Sequence, residues 1–182
     1  MNVMTLTILI SCSLAYADGG ADFLKWIKRT NELAQNATEK GNHPFGALLV
    51  VDGELVLEAE NTVLTDKNHN RHAEMNLTDA IYALRANHQL SDEQIKRSVL
   101  FASTEPCQMC GTSIINAGVR HIVYGVTAKN LVKIIPWPGY IDLSIEQLSS
   151  YCASKHEITV NGPISEEKGL KIHMLYWLNL KN

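Results

Sequence analysis

Three side chains able to hold a soft divalent cation stand in two short motifs, His72-Ala73-Glu74 and Pro106-Cys107-Gln108-Met109-Cys110. A Cys-x-x-Cys pair at the start of a helix puts both sulfurs on one side, where they can share one ion. The positive end of the helix dipole lowers the cost of keeping them as thiolates. With the His72 imidazole they make three protein ligands and leave one tetrahedral position open, which marks a catalytic zinc as opposed to a structural one. Water bound there loses much of its pKa and becomes a nucleophile near neutral pH. Attack on a ring carbon bearing an amino group also needs a carboxylate to pass protons to the ring and to the departing nitrogen. Glu74, two residues from a ligand, is the candidate.

Taken singly, the motifs carry less. Cys-x-x-Cys is also a redox pair or half of a zinc ribbon, and His-x-Glu alone is nearly uninformative. Their combination, in this order and each at an expected helix start, is what points to one site. A structural centre of four thiolates needs a second paired motif, which Cys12 and Cys152 do not supply. A non-catalytic domain stapled by zinc remains the bland alternative.

The elements that must position these motifs follow from periodicity and turn chemistry. Residues 21–40 repeat apolar side chains at helical intervals, and Gly41-Asn42-His43-Pro44 ends that helix. Residues 47–51 and 55–60 are two short apolar runs joined by Asp52-Gly53, a hairpin signal. A helix is expected over 71–86, a buried strand over 99–102, and a second helix over 107–117, stopped by Gly118. A strand at 121–126, a helix at 143–152, a strand at 158–160 and a helix at 165–178 complete the reading. Strands separated by helices imply an α/β fold whose sheet is covered on both faces. The expectation is a three-layer α/β/α sandwich with a mixed five-stranded sheet, as a single domain over residues 20–182.

The two motifs together are the signature of zinc deaminases. With Pro44-Phe45-Gly46-Ala47, Asn61 and Thr104-Glu105 they make the chain resemble the cytidine deaminase superfamily, and more closely its bacterial guanine deaminases and tRNA wobble adenosine deaminases, over residues 21–126. The resemblance implies one Zn2+ per chain, a homodimer and a cytoplasmic enzyme. It also implies substrate-binding roles for Asn61, which hydrogen-bonds the base, for Phe45, which lies against its ring, and for Ala73. Deamination of guanine to xanthine is the favoured expectation, with adenosine in tRNA or a cytosine-type substrate as alternatives. Two departures bear on this: Asn130 stands where the guanine deaminases carry an aspartate, and their closing C-terminal tyrosine segment has no clear counterpart. Asn130 and Trp137 are further pocket candidates, although Trp137 and Tyr140, set among Pro and Gly, read first as loop anchors.

Bulk properties narrow the partners. The 182 residues carry a formal charge of -3 and a pI near 6.1, so no global positive field draws the chain onto a phosphate backbone, and a small nucleobase or nucleoside fits better than nucleic acid. Residues 1–17 lack charge and end Ala15-Tyr16-Ala17, which reads as an export signal or an apolar arm and is too short to span a bilayer. His121 and His173 flank apolar stretches and read as core or edge histidines, whereas His43, His69, His88 and His156 sit in polar surroundings.

Overall fold

The computed structural model describes residues 19–135, 139–153 and 155–179. The expectations for residues 1–17 and for Trp137 lie outside them. Helix α1 (Gly19–Glu39) is followed by strands β1 (Gly46–Val51) and β2 (Glu54–Glu60), then by helices α2 (Ala73–Ala86) and α3 (Asp92–Arg97). Strand β3 (Val99–Thr104), helix α4 (Gln108–Ala117), strand β4 (His121–Val126) and the short helix α5 (Ala128–Leu131) come next. Helix α6 (Ile145–Ser150), strand β5 (Thr159–Asn161) and helix α7 (Glu166–Asn179) end the described chain. None of the described helices is long and apolar enough to cross a membrane.

The five strands form one mixed sheet in the order β2-β1-β3-β4-β5. Strand β1 is antiparallel to both β2 and β3, while β3, β4 and β5 run parallel. The hairpin between β1 and β2 turns at Asp52 (φ 52°) and Gly53 (φ 87°), two consecutive positive values that match the strand twist. Alternation along β1 sends Ala47, Leu49 and Val51 to one face and Leu48 and Val50 to the other. The first face packs on Leu77 and Ile81 of α2, Ile95 of α3, Ile114 of α4 and Ile145 of α6. The second face, with Phe101 and Val123, packs on Trp26, Ile27 and Leu33 of α1. Helix α7 lies against α1 and β4 on that same side. The expected three layers are therefore present, and each fully buried Leu or Ile contributes roughly 1.5–3 kcal/mol.

Differences from the sequence reading are local. Helix α3 was not expected, yet Ser91 and Gln94 form a reciprocal capping box at its start. Helix α6 is shorter than the expected 143–152 because Ser144 caps it and Gln147 returns the bond. Gly118 ends α4 as expected, in the left-handed region at φ 101°.

Candidate metal centre and substrate cavity

His72 and Cys107 occupy the N-cap positions of α2 and α4, with extended backbone (ψ 156° and 171°), and neither side chain caps its own helix. Ring and sulfur instead face a common point. Cys107 Sγ lies 3.8 Å and Cys110 Sγ 3.5 Å from His72 Nδ1, and the three ligand atoms all lie within 4.8 Å of one another. Zinc bonds of about 2.3 Å to sulfur and 2.0 Å to nitrogen set tetrahedral sulfur and nitrogen atoms about 3.5 Å apart, close to the two sulfur–nitrogen separations here. His72, Cys107 and Cys110 are positioned to bind a metal ion. Behind them, the hydroxyls of Thr78 (α2) and Ser113 (α4) meet at 2.9 Å and fix the two helices against each other.

The three groups also share protons among themselves. The Cys110 thiol, and after it the His72 ring, pull the Cys107 thiol down to about 4. Cys110, hydrogen-bonded to Cys107 and buried, is pushed well above the ordinary thiol value, and contact with Cys107 raises His72. Glu74 follows His72 by two residues at the start of α2 and is 5% exposed. Burial pushes its carboxyl up, and the His72 charge partly offsets this. A carboxyl raised in this way is suited to taking up and returning a proton near neutral pH.

Glu105 ties the metal loop to the walls of the cavity. Its Oε2 accepts from the Ala128 N–H at 2.9 Å and its Oε1 from the Ile145 N–H at 3.0 Å. These are the first residues of α5 and α6, so a single buried carboxylate satisfies orphan donors of two helices. Gln108 adds bonds from Nε2 to the Leu143 and Ile141 carbonyls at 2.6 and 3.2 Å.

Two adjoining cavities share Phe45 and His72. The inner one, about 40 Å³, is bounded by Glu74, Thr104, Cys107, Leu131 and Tyr140 among others. The outer one, about 230 Å³, is bounded by His43, Asn61, Val63, His69, Ile135 and Trp177. Asn61 is 2% exposed. Its Oδ1 accepts from the Val63 N–H at 3.1 Å, and its Nδ2 has no protein partner among the described residues.

The fold thus brings together His72, Glu74, Cys107, Cys110, Phe45 and Asn61. Ala73 instead turns its methyl into the core and lines neither cavity. Asn130 is likewise not a lining residue, because its Oδ1 accepts from Lys133 Nζ at 2.7 Å while its neighbours Ala128 and Leu131 face the inner cavity. Tyr140, read first as a loop anchor, is one of the inner walls.

Helix α7 supplies residues that the sequence reading did not connect with the site. His173, 2% exposed, has Nε2 at 2.9 Å from Thr104 Oγ1 and its ring 5.1 Å from that of Phe45. Trp177 donates from Nε1 to His173 Nδ1 at 3.4 Å and stacks on His43, with centroids 5.0 Å apart at 29°. The Tyr176 hydroxyl lies 3.1 Å from His43 Nδ1. His43 and His69, expected in polar surroundings, therefore line the outer cavity, while the core assignment of His173 is met.

The family model described as MafB19-like deaminase matches residues 21–154. A probable cytosine deaminase of Schizosaccharomyces pombe is 28% identical over 155 residues, covering 85% of this chain and 91% of that protein. A tRNA-specific adenosine deaminase of Buchnera aphidicola is 31% identical over 109 residues, covering 59% and 68%. Among solved structures, a guanine deaminase from Nitrosomonas europaea superposes with a TM-score of 0.70 at 19% identity, over 85% of this chain and 84% of that one, which speaks for the fold alone.

Proposed function

The chain belongs to the MafB19-like deaminase family, and from that membership we infer that it is a zinc-dependent hydrolase removing an exocyclic amino group from a small nucleobase. The observation that carries this reading is the juxtaposition of His72, Cys107 and Cys110 with the buried Glu74. One zinc ion per chain, held by the imidazole and the two sulfurs, supplies Lewis acidity that makes water a nucleophile near neutral pH.

In this proposal water replaces the amino group: a C–O bond forms, the C–N bond breaks and ammonia leaves. Glu74 accepts one proton from the water and passes it to the ring nitrogen, then takes the second from the hydroxyl of the adduct and passes it to the departing amine as the carbonyl forms. Phe45 lies along the face of the base, and the Asn61 amide N–H donates to an acceptor on its edge. Burial of Glu74 keeps solvent from taking the proton in transit.

Guanine is the first substrate to test, on the strength of the sequence resemblance. Cytosine is the second, favoured by a likeness to a probable cytosine deaminase that extends over 85% of this chain. An adenosine in tRNA ranks third, because a net charge of -3 gives no groove-wide attraction for phosphate. Ammonia release from guanine, guanosine, adenine, cytosine and a tRNA stem-loop, with and without a chelator, tests the reading. Chelator-sensitive turnover of a free base is expected. Turnover of RNA only, or of nothing, overturns it.

A further inference from the structure

We propose that His173 is a positioning residue which makes Thr104 a hydrogen-bond donor into the inner cavity, where the hydroxyl engages an acceptor on the substrate ring, a carbonyl oxygen or an unprotonated ring nitrogen. The ligand in this proposal rests on the functional reading above. The direction of the donor rests on three side chains alone.

An indole N–H can only donate. Trp177 Nε1 meets His173 Nδ1 at 3.4 Å, so Nδ1 is the acceptor and carries no proton. His173 is 2% exposed, and burial lowers its pKa to about 4, which leaves the ring neutral at pH 7. A neutral imidazole bears one N–H, here on Nε2. That N–H donates to Thr104 Oγ1 at 2.9 Å. The Thr104 hydroxyl proton then cannot go to His173, and no other acceptor among the described residues receives it. Thr104 borders the inner cavity together with Glu74 and Cys107. The proton is left for whatever fills that space.

The relay runs from α7 to the end of β3, three residues before the first cysteine ligand. It therefore allows the C-terminal helix to set the polarity of an inner-wall group that it does not itself supply. A ring edge presenting N–H at this point meets a donor and is disfavoured, whereas an acceptor edge is bound.

The test uses the full-length, zinc-loaded protein with 15N-labelled histidine. A pyridine-type Nδ1 and a pyrrole-type Nε2 signal from His173 are expected. Trp177→Phe, which keeps an aromatic wall but deletes the N–H, should give a mixture of tautomers. Thr104→Val should raise KM for the base turned over by about three- to tenfold, the loss of one neutral hydrogen bond, with zinc content unchanged. Thr104→Ser should restore most of it. An Nδ1–H tautomer, or Thr104→Val with wild-type kcat/KM, overturns the proposal. If no base releases ammonia, the functional reading and the proposed ligand fall together, while the tautomer still decides the direction of the relay.

Discussion

Cys110 Sγ donates to Glu74 Oε2 across 3.6 Å, so the innermost candidate ligand and the buried carboxylate are direct neighbours. The carboxylate that is to move protons is thus placed by the same contact that places a metal-binding sulfur. Structure and chemistry can still be separated at this point.

Glu74→Gln preserves the shape of the side chain and an oxygen for the Cys110 contact, but an amide does not carry the proton. The variant should retain one zinc per chain and lose turnover by about 10²–10⁴-fold. Metal analysis alongside kcat decides it, and wild-type kcat in a zinc-replete variant removes Glu74 from the mechanism.

Zinc binding should release protons and weaken as pH falls. Cys107, held at about 4, is already a thiolate at neutral pH, whereas Cys110, raised well above the ordinary thiol value, must release its proton to solvent as it takes the ion, and contact with Cys107 raises the affinity of His72 for a competing proton. Lower pH restores those protons and opposes binding, by about tenfold per pH unit for each proton released. Competition with a chromophoric chelator between pH 6 and 8 reads the slope, and a flat profile contradicts the shared-proton state.

Acid should destabilise the fold through His173. Its folded pKa is lowered to about 4 by burial, so the folded ring stays neutral while the unfolded chain takes up a proton below about 6.5. Stability is full above that value and lost as pH falls towards 4, by up to about 3 kcal/mol from this residue. Denaturant midpoints of the wild type and His173→Gln at pH 7.5 and 5 should differ in their pH dependence, the variant losing less. Equal losses would place the acid sensitivity elsewhere.

Trp177→Ala should open the outer cavity and raise KM for the base about three- to tenfold, with a smaller change in kcat, because an aromatic stacking partner is worth about 0.5–1.5 kcal/mol. Tyr176→Phe, which removes only the hydroxyl facing His43, serves as the comparison. Unchanged KM in Trp177→Ala would exclude this wall from substrate binding.

What the sequence made legible is what is local along the chain. His72-Ala73-Glu74 and Cys107-x-x-Cys110 each lie within one helix turn, and helix starts have recognisable chemistry. The fully buried run of β1 and the Asp52-Gly53 turn are local in the same sense. The contribution of α7 was not legible, because His43 meets Tyr176 across 133 positions and Thr104 meets His173 across 69. Composition around His43 is polar, and only the returning helix gives the ring its aromatic surroundings. Asn130 was placed at the pocket by its correspondence to an aspartate of the guanine deaminases, and the four-residue α5 is too short for periodicity to show that its neighbours Ala128 and Leu131 are the ones that face the cavity. Helix α3 was announced by Ser91 and Gln94, a signal that was present and not used.

The grip of Glu105 on Ala128 and Ile145 has a practical corollary for protein engineering. The first amides of α5 and α6 are clipped to one carboxylate that stands two residues before the candidate ligand Cys107. Substitutions at Leu131, Tyr140 and Leu143 that keep both anchoring amides should reshape the cavity wall while His72, Cys107 and Cys110 keep their places.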